Sequence, residues 1–297
     1  MQITNIPIDR NRKETTKHGS FAFPLAVYCS VLSRNVLGFI NWHWHEELQF
    51  CCVTVGSVRF FVNEQQYLLN VGDGIFVNSG CLHMAKPAGG PDSTYVCLDA
   101  SPRLLAGFPG SVFEDRYVVP YLRDQSMMHI PLSAAVPWQK QALDGVMDIY
   151  SLCEEKKFGY EFAACAALGR VWLQLLENRP ATTERARQNR RQHGETVQAI
   201  LAYVAAHYAE RVTVEAVARE VAFNPSECCR LFKKVTGETI FSYLRSYRLA
   251  KATELLKDAD MSVSRIAYET GFCGASYFIE AFRERFGVTP LQYRRNL

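Results

Sequence analysis

Three histidines stand in an arrangement that could do chemistry. His43-Trp44-His45 is followed by Glu46, Glu47 and Gln49, and His83 comes after the turn sequences Gly72-Asp73-Gly74 and Asn78-Ser79-Gly80. Side chains alternate along an extended strand, so His43, His45, Glu47 and Gln49 would share one face. Imidazoles can hydrogen-bond a polar small molecule, can bond within a core, or can hold a divalent metal such as Zn²⁺, Fe²⁺ or Ni²⁺. The residues leave all three uses open and favour them in that order. The candidate ligand pocket is His43, His45, Glu47, Gln49, His83 and Trp44, and the metal candidates within it are His43, His45 and His83. No cofactor is expected beyond that open question of a metal. Trp42 and Trp44 could pack, point outward, or lay a ring against a ligand at the pocket mouth, as sugars favour.

Short strands must position these groups. Leu25–Ser33, Leu48–Val55, Ser57–Val62, Gly74–Asn78 and Thr94–Asp99 are rich in β-branched and aromatic residues. Asn35, Gly56, Asn63, Gly72 and Gly80 punctuate them at the spacing of an all-β barrel. With the His-x-His pair and the later His83, the region resembles a cupin jelly roll. In cupin enzymes a glutamate completes a metal site, and Gln49 stands at the corresponding position here. A neutral amide is a poor ligand for a hard divalent ion, so this departure weakens the metal reading and the dioxygenase or isomerase reading that goes with it.

The C-terminal third repeats itself. Val214, Ala218, Glu220 and Phe223 reappear 49 residues later as Val263, Ala267, Glu269 and Phe272. Ser226, Phe232, Gly237, Thr239 and Tyr243 recur 50 residues later as Ser276, Phe282, Gly287, Thr289 and Tyr293. One residue is therefore inserted at the second turn, beside Cys273 and Gly274. Two copies are too few for a solenoid, so a pair of like modules is expected.

Each copy reads as helix, tight turn, helix. Thr213 can cap a short helix ending near Val221. Asn224 caps the next, with Pro225 in its first turn and Glu227 placed for a capping box, and Gly237 ends it. The second copy runs from a Ser262 cap through a turn at Gly271 to Gly287. A long helix from about Ile240 to Lys257 joins the copies, and another from Thr196 to Tyr208 precedes them. Such a joint fixes the spacing of the two second helices; about one DNA turn, roughly 34 Å, would let both enter successive major grooves.

The apolar residues of these helices read as core, and a purely helical interaction domain would use them in the same way. The opposite faces separate the two readings. Ser226, Cys229, Arg230, Lys233 and Lys234 line one second helix, and Ala275, Ser276, Ile279, Arg283 and Arg285 line the other. Short polar side chains suit base edges, and Arg and Lys suit guanines and phosphates. From Thr196 to Arg294 the chain resembles the DNA-binding domain of AraC/XylS transcription regulators. The run Gly271-Phe272, Ser276-Tyr277-Phe278, Phe282, Gly287, Thr289-Pro290 and Tyr293 carries the likeness. That resemblance puts Ser226, Cys229 and Arg230, and Ala275, Ser276, Ile279 and Glu280, at base-facing positions. Glu280 departs from the basic residue many members carry, which implies an unequal second module.

Bulk properties agree. The chain has 297 residues, 48% of them apolar and 21% charged, which suits a folded protein of more than one domain. No apolar run approaches a membrane span and the N-terminus lacks a signal-peptide core, so a cytoplasmic location is expected. Ten scattered cysteines without a Cys-x-x-Cys pair exclude a zinc ribbon and a thioredoxin motif and suit a reducing compartment. The net charge is −3 over residues 1–178, +4 over 179–193 and +2 over 194–297, so the basic excess falls where a nucleic-acid binder would place it.

The expected organisation is α+β: a cupin-like ligand-sensing barrel over 1–136, a helical connector for dimerisation over 137–178, a basic linker over 179–193, and a double helix-turn-helix domain over 194–297. In the linker, Arg185, Arg187, Arg190 and Arg191 read as a solvated tether more than as phosphate contacts. In the connector, Trp138, Ala142, Val146, Ile149 and Cys153 form one stripe, and Leu168, Val171, Trp172, Leu175 and Leu176 another; packing on its own barrel is the competing use. Regulators of this family commonly pair a cupin-like sensor with the DNA module. The resemblance therefore implies a non-enzymatic, ligand-responsive activator of a metabolic operon, with carbohydrate metabolism a candidate setting. Its partners would be double-stranded DNA, a small effector such as a sugar, a second copy of the chain and RNA polymerase, with no membrane.

Overall fold

The computed structural model describes residues 6–9, 11–63, 65–90, 92–122, 124–179 and 184–296; the side chains of 125 and 184–192 lie outside that description. The chain divides into two compact units, residues 1–195 and 196–297.

In the first unit, eight strands form a jelly roll. They are β1 (Leu25–Val31), β2 (Ile40–His43), β3 (Leu48–Val55), β4 (Ser57–Val62), β5 (Gln65–Asn70), β6 (Gly74–Val77), β7 (His83–Pro87) and β8 (Thr94–Ala100). One antiparallel sheet runs β1-β8-β3-β6 and gains β9 (His129–Leu132) at its edge; the facing sheet runs β2-β7-β4-β5. The five strands expected from composition are present. Composition does not delimit β2, β5, β7 and β9, although the His43 alternation already implied extended backbone at the end of β2. Three of these are only four or five residues long, and β5 is a half-exposed edge strand with one buried side chain.

The larger sheet is buried on both faces, which explains why its strands read as apolar runs. Leu48, Phe50 and Cys52 of β3, and Val96, Leu98 and Ala100 of β8, face helices α3 (Pro137–Glu155) and α4 (Tyr160–Glu177). Cys51, Val53, Tyr95 and Cys97 face the barrel interior. By the same alternation Gln49 and Asp99, paired across β3 and β8, also belong to the interior face. The two connector stripes pack on this sheet; Trp172, for instance, stacks edge-on to Phe76 at 5.8 Å and donates its indole N–H to Tyr117 O at 2.8 Å. Two short helical turns, α1 (Arg103–Ala106) and α2 (Val119–Leu122), lie between β8 and β9.

Helix α5 runs Glu184–His207, so most of the stretch expected as an irregular tether has helical backbone. Its residues from 184 to 193 include no Pro or Gly, and a helix already nucleated by Val197, Ile200, Leu201 and Val204 extends through such a sequence without an apolar stripe. The side chains of Arg185, Arg187, Arg190 and Arg191 lie outside the described residues.

In the second unit the repeat becomes two modules with matching helix lengths. α6 (Val214–Glu220) and α9 (Val263–Glu269) have seven residues each, α7 (Pro225–Thr236) and α10 (Ala275–Phe286) twelve each. Helix α8 (Ile240–Leu255) joins them and α11 (Pro290–Arg295) ends the chain. The turn hydrogen bond Phe223 N to Ala218 O, 2.9 Å, is matched by Phe272 N to Ala267 O, also 2.9 Å. Gly237 and Gly287 end the second helices with φ 76° and 74°. Thr213, Asn224 and Ser262 accept from backbone N–H groups as expected of caps. Glu227 deviates: its carboxylate takes the Asn224 side-chain amide at 2.6 Å, where a capping box would have it reach a backbone N–H.

Candidate effector chamber and nucleic-acid interface

Residues 11–20 thread back onto the barrel beside the histidine motif, with an isolated bridge between Lys13 and Trp44. Glu14 N donates to Trp44 O at 2.8 Å and Trp44 N donates to Arg12 O at 3.1 Å, so this segment is stitched to the histidine motif by its backbone. Arg12 is completely buried and its guanidinium donates to Trp42 O. Glu14 and His18 enter the interior with it, both under 10% exposed.

Of the expected pocket residues, His43, His45 and His83 are brought together. Strands β2 and β7 place His43 directly opposite His83, with ring centroids 4.2 Å apart. His45, two residues past the end of β2, comes within 5.1 Å of His83 and 5.8 Å of His43. One ligand-capable atom of each histidine lies within 4.8 Å of the others. Gln49 is buried on β3, and its Oε1 finds no hydrogen-bond partner among the described residues. Glu47 is at the margin, its side chain 23% exposed and its Oε2 3.6 Å from His45 Nδ1. Trp44 does not line the interior. Its indole N–H is committed to Asn11 O at 2.8 Å and Lys13 Nζ sits 5.5 Å from its ring centre. Trp42 is wholly buried against Phe61 and serves as core.

Each of the three histidines uses Nδ1 in the same way. His43 Nδ1 meets Asn41 O at 2.7 Å, His45 Nδ1 meets Glu47 O at 3.2 Å and His83 Nδ1 meets Cys81 O at 2.8 Å. A carbonyl oxygen only accepts, so Nδ1 must carry the proton and Nε2 of each neutral ring is a bare lone pair. Burial is the main reason the rings stay neutral. It holds the His43 and His45 pKa values well below the ordinary range, with the neighbouring His83 adding to the effect, and lowers His83 to about 4.

Three further groups complete the cluster, and they escaped the sequence reading. Glu14 Oε2 is 3.7 Å from His43 Nε2, and Glu14 Oε1 is 3.5 Å from His18 Nε2. His18 Nδ1 lies 3.4 Å from Asp99 Oδ2 and 3.0 Å from the Tyr28 hydroxyl. Burial opposes charge on His18, yet the bond to Glu14 and the fields of Asp99 and Glu14 outweigh it and hold its pKa at about 9. Burial raises Asp99 to about 7, with His18 working against the rise. Asp99 was legible in principle, as an acid at an inward position between Leu98 and Ala100. Glu14 and His18 carry no periodic signal.

In the second unit, Ser226, Cys229, Arg230, Lys233 and Lys234 are all exposed along one face of α7. On α10, Ser276, Ile279, Glu280, Arg283 and Arg285 are exposed and Ala275 half-buried. The opposite faces hold the core: Cys228, Leu231, Phe232 and Val235 in one module, Phe278, Ala281 and Phe282 in the other. Glu284 pairs with Arg245 of α8 at 3.1 Å, and Arg248 caps the end of the α5 region through Tyr208 O and Glu210 O at 2.7 and 2.8 Å. Among the described residues no helix is long and apolar enough to cross a membrane.

Known proteins share both parts. A family model described as an AraC-like ligand binding domain matches residues 26–135, and a helix-turn-helix domain model matches residues 217–296. The HTH-type transcriptional regulator YdeC of Bacillus subtilis (strain 168), itself uncharacterized, is 33% identical over 293 residues, covering 99% of each chain. The HTH-type transcriptional activator RhaS of Escherichia fergusonii is 27% identical over 289 residues, 95% of this chain and 97% of its own. The DNA-binding domain of AdpA, a global transcriptional factor solved in complex with a target DNA, is 27% identical, covers 34% of this chain and 91% of that one, and has a TM-score of 0.33. With a ligand-binding barrel, a double helix-turn-helix unit and a full-length relative at 33% identity, the chain belongs to the AraC/XylS family of DNA-binding transcriptional regulators, which are not enzymes.

Proposed function

We propose that this regulator is an effector-responsive, sequence-specific activator, binding a small polar molecule in the barrel and reading its operator with α7 and α10. The observation that carries the sensor half is the buried polar cluster: His45 Nε2, Gln49 Oε1 and His83 Nε2 all lack a hydrogen-bond partner among the described residues. Orphaned polar atoms in a core cost roughly 1–3 kcal/mol each, so they persist where something else satisfies them. A sugar or polyol supplies hydroxyl donors of the required kind, and the activator name of the RhaS relative favours activation over repression. Two of the cluster's members, Glu14 and His18, come from the N-terminal segment. An occupant that bonds to them changes the stability of that segment's docking, which is the differential affinity that allostery requires.

The operator reading rests on the exposed faces of α7 and α10. Ser226, Cys229 and Arg230, with Ala275, Ser276, Ile279 and Glu280, face the bases in this proposal, and Lys233, Lys234 and Arg283 face phosphates. Homodimerisation uses the outer surface at the start of α4 and the turn before it, where Phe162 is 84% exposed and Phe158 fully exposed. RNA polymerase is the partner an activator would contact once seated on a promoter. The test is selection of bound sequences from random duplexes by the full-length protein. Affinity for the selected duplex is then measured with a panel of monosaccharides, polyols and small carboxylates. Enrichment of a defined motif, and a several-fold affinity change with one compound that also raises the melting temperature, is expected. Failure to enrich any sequence would overturn the operator reading, and a panel without effect on either readout would overturn the sugar-class effector.

A further inference from the structure

The end of α5 is held by parts of the chain that follow the first module. Past His207 the chain turns through Tyr208, Ala209 and Glu210. Arg248 of α8 donates Nε to Tyr208 O at 2.7 Å and Nη2 to Glu210 O at 2.8 Å. Tyr247, beside it on α8, sets its ring edge-on to Tyr208 at 5.3 Å. The second module's turn presses on the same place, since a Cβ at Gly271 would stand 2.5 Å from Tyr208 O and 2.9 Å from the Ala209 carbonyl. The first module's turn holds the same left-handed backbone with Ala222, so glycine in the second answers to this close approach and not to the turn itself. Gly271 leads directly into Phe272, whose ring packs on Phe278 of α10 at 5.1 Å. The second reading helix therefore takes its seat from the end of α5, the helix that precedes the first module.

We propose that Arg248 is a positioning residue for operator recognition: by clasping the end of α5 to α8 beside the Gly271 turn, it locks the two helix-turn-helix modules in one relative orientation, so that the protein reads the spacing of its two half-sites as well as their bases. The inference rests on α7 and α10 being the operator-reading helices. A joining helix alone fixes how far apart two modules stand. Rotation of the second module about that helix is stopped only by a contact off its axis, and the Tyr208–Glu210 turn supplies one. The planar guanidinium spans both carbonyls at once, and a cation suits the end of a helix. Arg245, on the same face of α8, adds a second tie to Glu284 of α10 at 3.1 Å; its side chain is 40% exposed and that of Glu284 62%, so this tie holds less. One inserted base pair moves a half-site by about 3.4 Å and turns it by about 35° around the duplex, a displacement that a locked pair of modules cannot follow. With Nε and Nη2 spent on carbonyls, Arg248 acts through the turn and not on phosphate.

Full-length protein is titrated, at one salt concentration, with the duplex selected from random sequence and with the same duplex carrying one extra base pair between its half-sites. Wild-type protein should lose about tenfold or more in affinity on the insertion, and Arg248→Met about threefold or less. Fold is checked by circular dichroism and the urea midpoint. Arg248→Lys keeps the charge without the fork, should show the same lowered ratio, and replaces the methionine variant should that fail to fold. A loss of stability alone lowers the active fraction against both duplexes alike and leaves their ratio unchanged. An unchanged ratio in the folded variant, or wild-type protein indifferent to the insertion, would overturn the proposal. The variant should also keep the wild-type slope of log affinity against log salt; a slope smaller by about one would assign Arg248 to a phosphate and overturn the clasp. A selection that enriches no sequence would instead overturn the operator reading beneath it.

Discussion

Ala222 and Gly271 occupy the same point in the two helix-turn-helix turns, and both hold left-handed backbone, with φ 54° and 78°. Their surroundings differ. A Cβ on Gly271 would meet Tyr208 O at 2.5 Å and the carbonyl of Ala209 at 2.9 Å, whereas Ala222 already carries its methyl group at the strained φ. Ala222→Gly is therefore expected to relieve up to about 1 kcal/mol of strain, less what glycine's freedom in the unfolded chain takes back. Gly271→Ala combines the φ penalty with a backbone collision and should destabilise by more than about 2 kcal/mol. Urea unfolding of the two full-length variants checks the pair, and equal effects would contradict the geometry.

The modules also differ in charge on the reading face. Arg230 on α7 is matched by Glu280 on α10, both exposed. Arginine bonds guanine bidentately, while a carboxylate accepts from cytosine and is repelled by phosphate. Arg230→Ala should cost about 1–3 kcal/mol of operator affinity and relax specificity at one base pair, and Glu280→Ala should cost less or nothing. Binding titrations at one fixed salt concentration decide this, and comparable losses would refute the inequality.

The sequence revealed structure where one local signal decided it. The repeat predicted a pair of like modules because caps, turn and buried stripe recur together at Thr213 and Ser262, Phe223 and Phe272, Gly237 and Gly287. Strands β1, β3, β4 and β8 announced themselves by length and composition, and the four-residue β6 by its apolar run between turn residues. Strand β7 did not, since His83–Pro87 forms a strand only by being paired on both sides. In the chamber, three histidines were visible because their spacing fits one face. Glu14 and His18 were not, since their seat is set by backbone bonds between residues 12–14 and Trp44, contacts that exist only after folding. The helical start at Glu184 was missed for a related reason: helix continues through a sequence that has no apolar stripe.

The chamber's charges make stability depend on pH from both sides. In the unfolded chain imidazoles titrate near 6.5. Folded His43 and His45 do so well below that and His83 at about 4, so between those values the unfolded state binds more protons and stability is lost on acidification. Asp99 opposes this, since its raised pKa of about 7 favours the folded state at low pH, but it is one group against three. On the alkaline side, His18 at about 9 contributes stability that is complete below 6.5 and lost as pH rises through 9. Chelator-treated protein should show its highest urea midpoint near neutrality, with losses of roughly 1–3 kcal/mol on each side. His18→Gln should flatten the alkaline limb alone; an alkaline limb unchanged in that variant would show that His18 does not set it.

The connector offers a separable test of assembly. Its buried stripes are spent on the barrel sheet, so Ala142, Val146, Leu168 and Leu175 cannot serve a second copy without unfolding the first. What remains for a partner is the outer face, where Phe162 is 84% exposed and Phe158 beside it fully so. A charge at Phe162 breaks no contact of the buried core, so Phe162→Asp should leave monomer stability within about 0.5 kcal/mol. Burying that charge across a two-fold interface, where each copy presents the same patch, would introduce two carboxylates at once. Sedimentation velocity should therefore show wild-type dimer and Phe162→Asp monomer at the same concentration. A variant that dimerises as well as the wild type would place the interface away from this face.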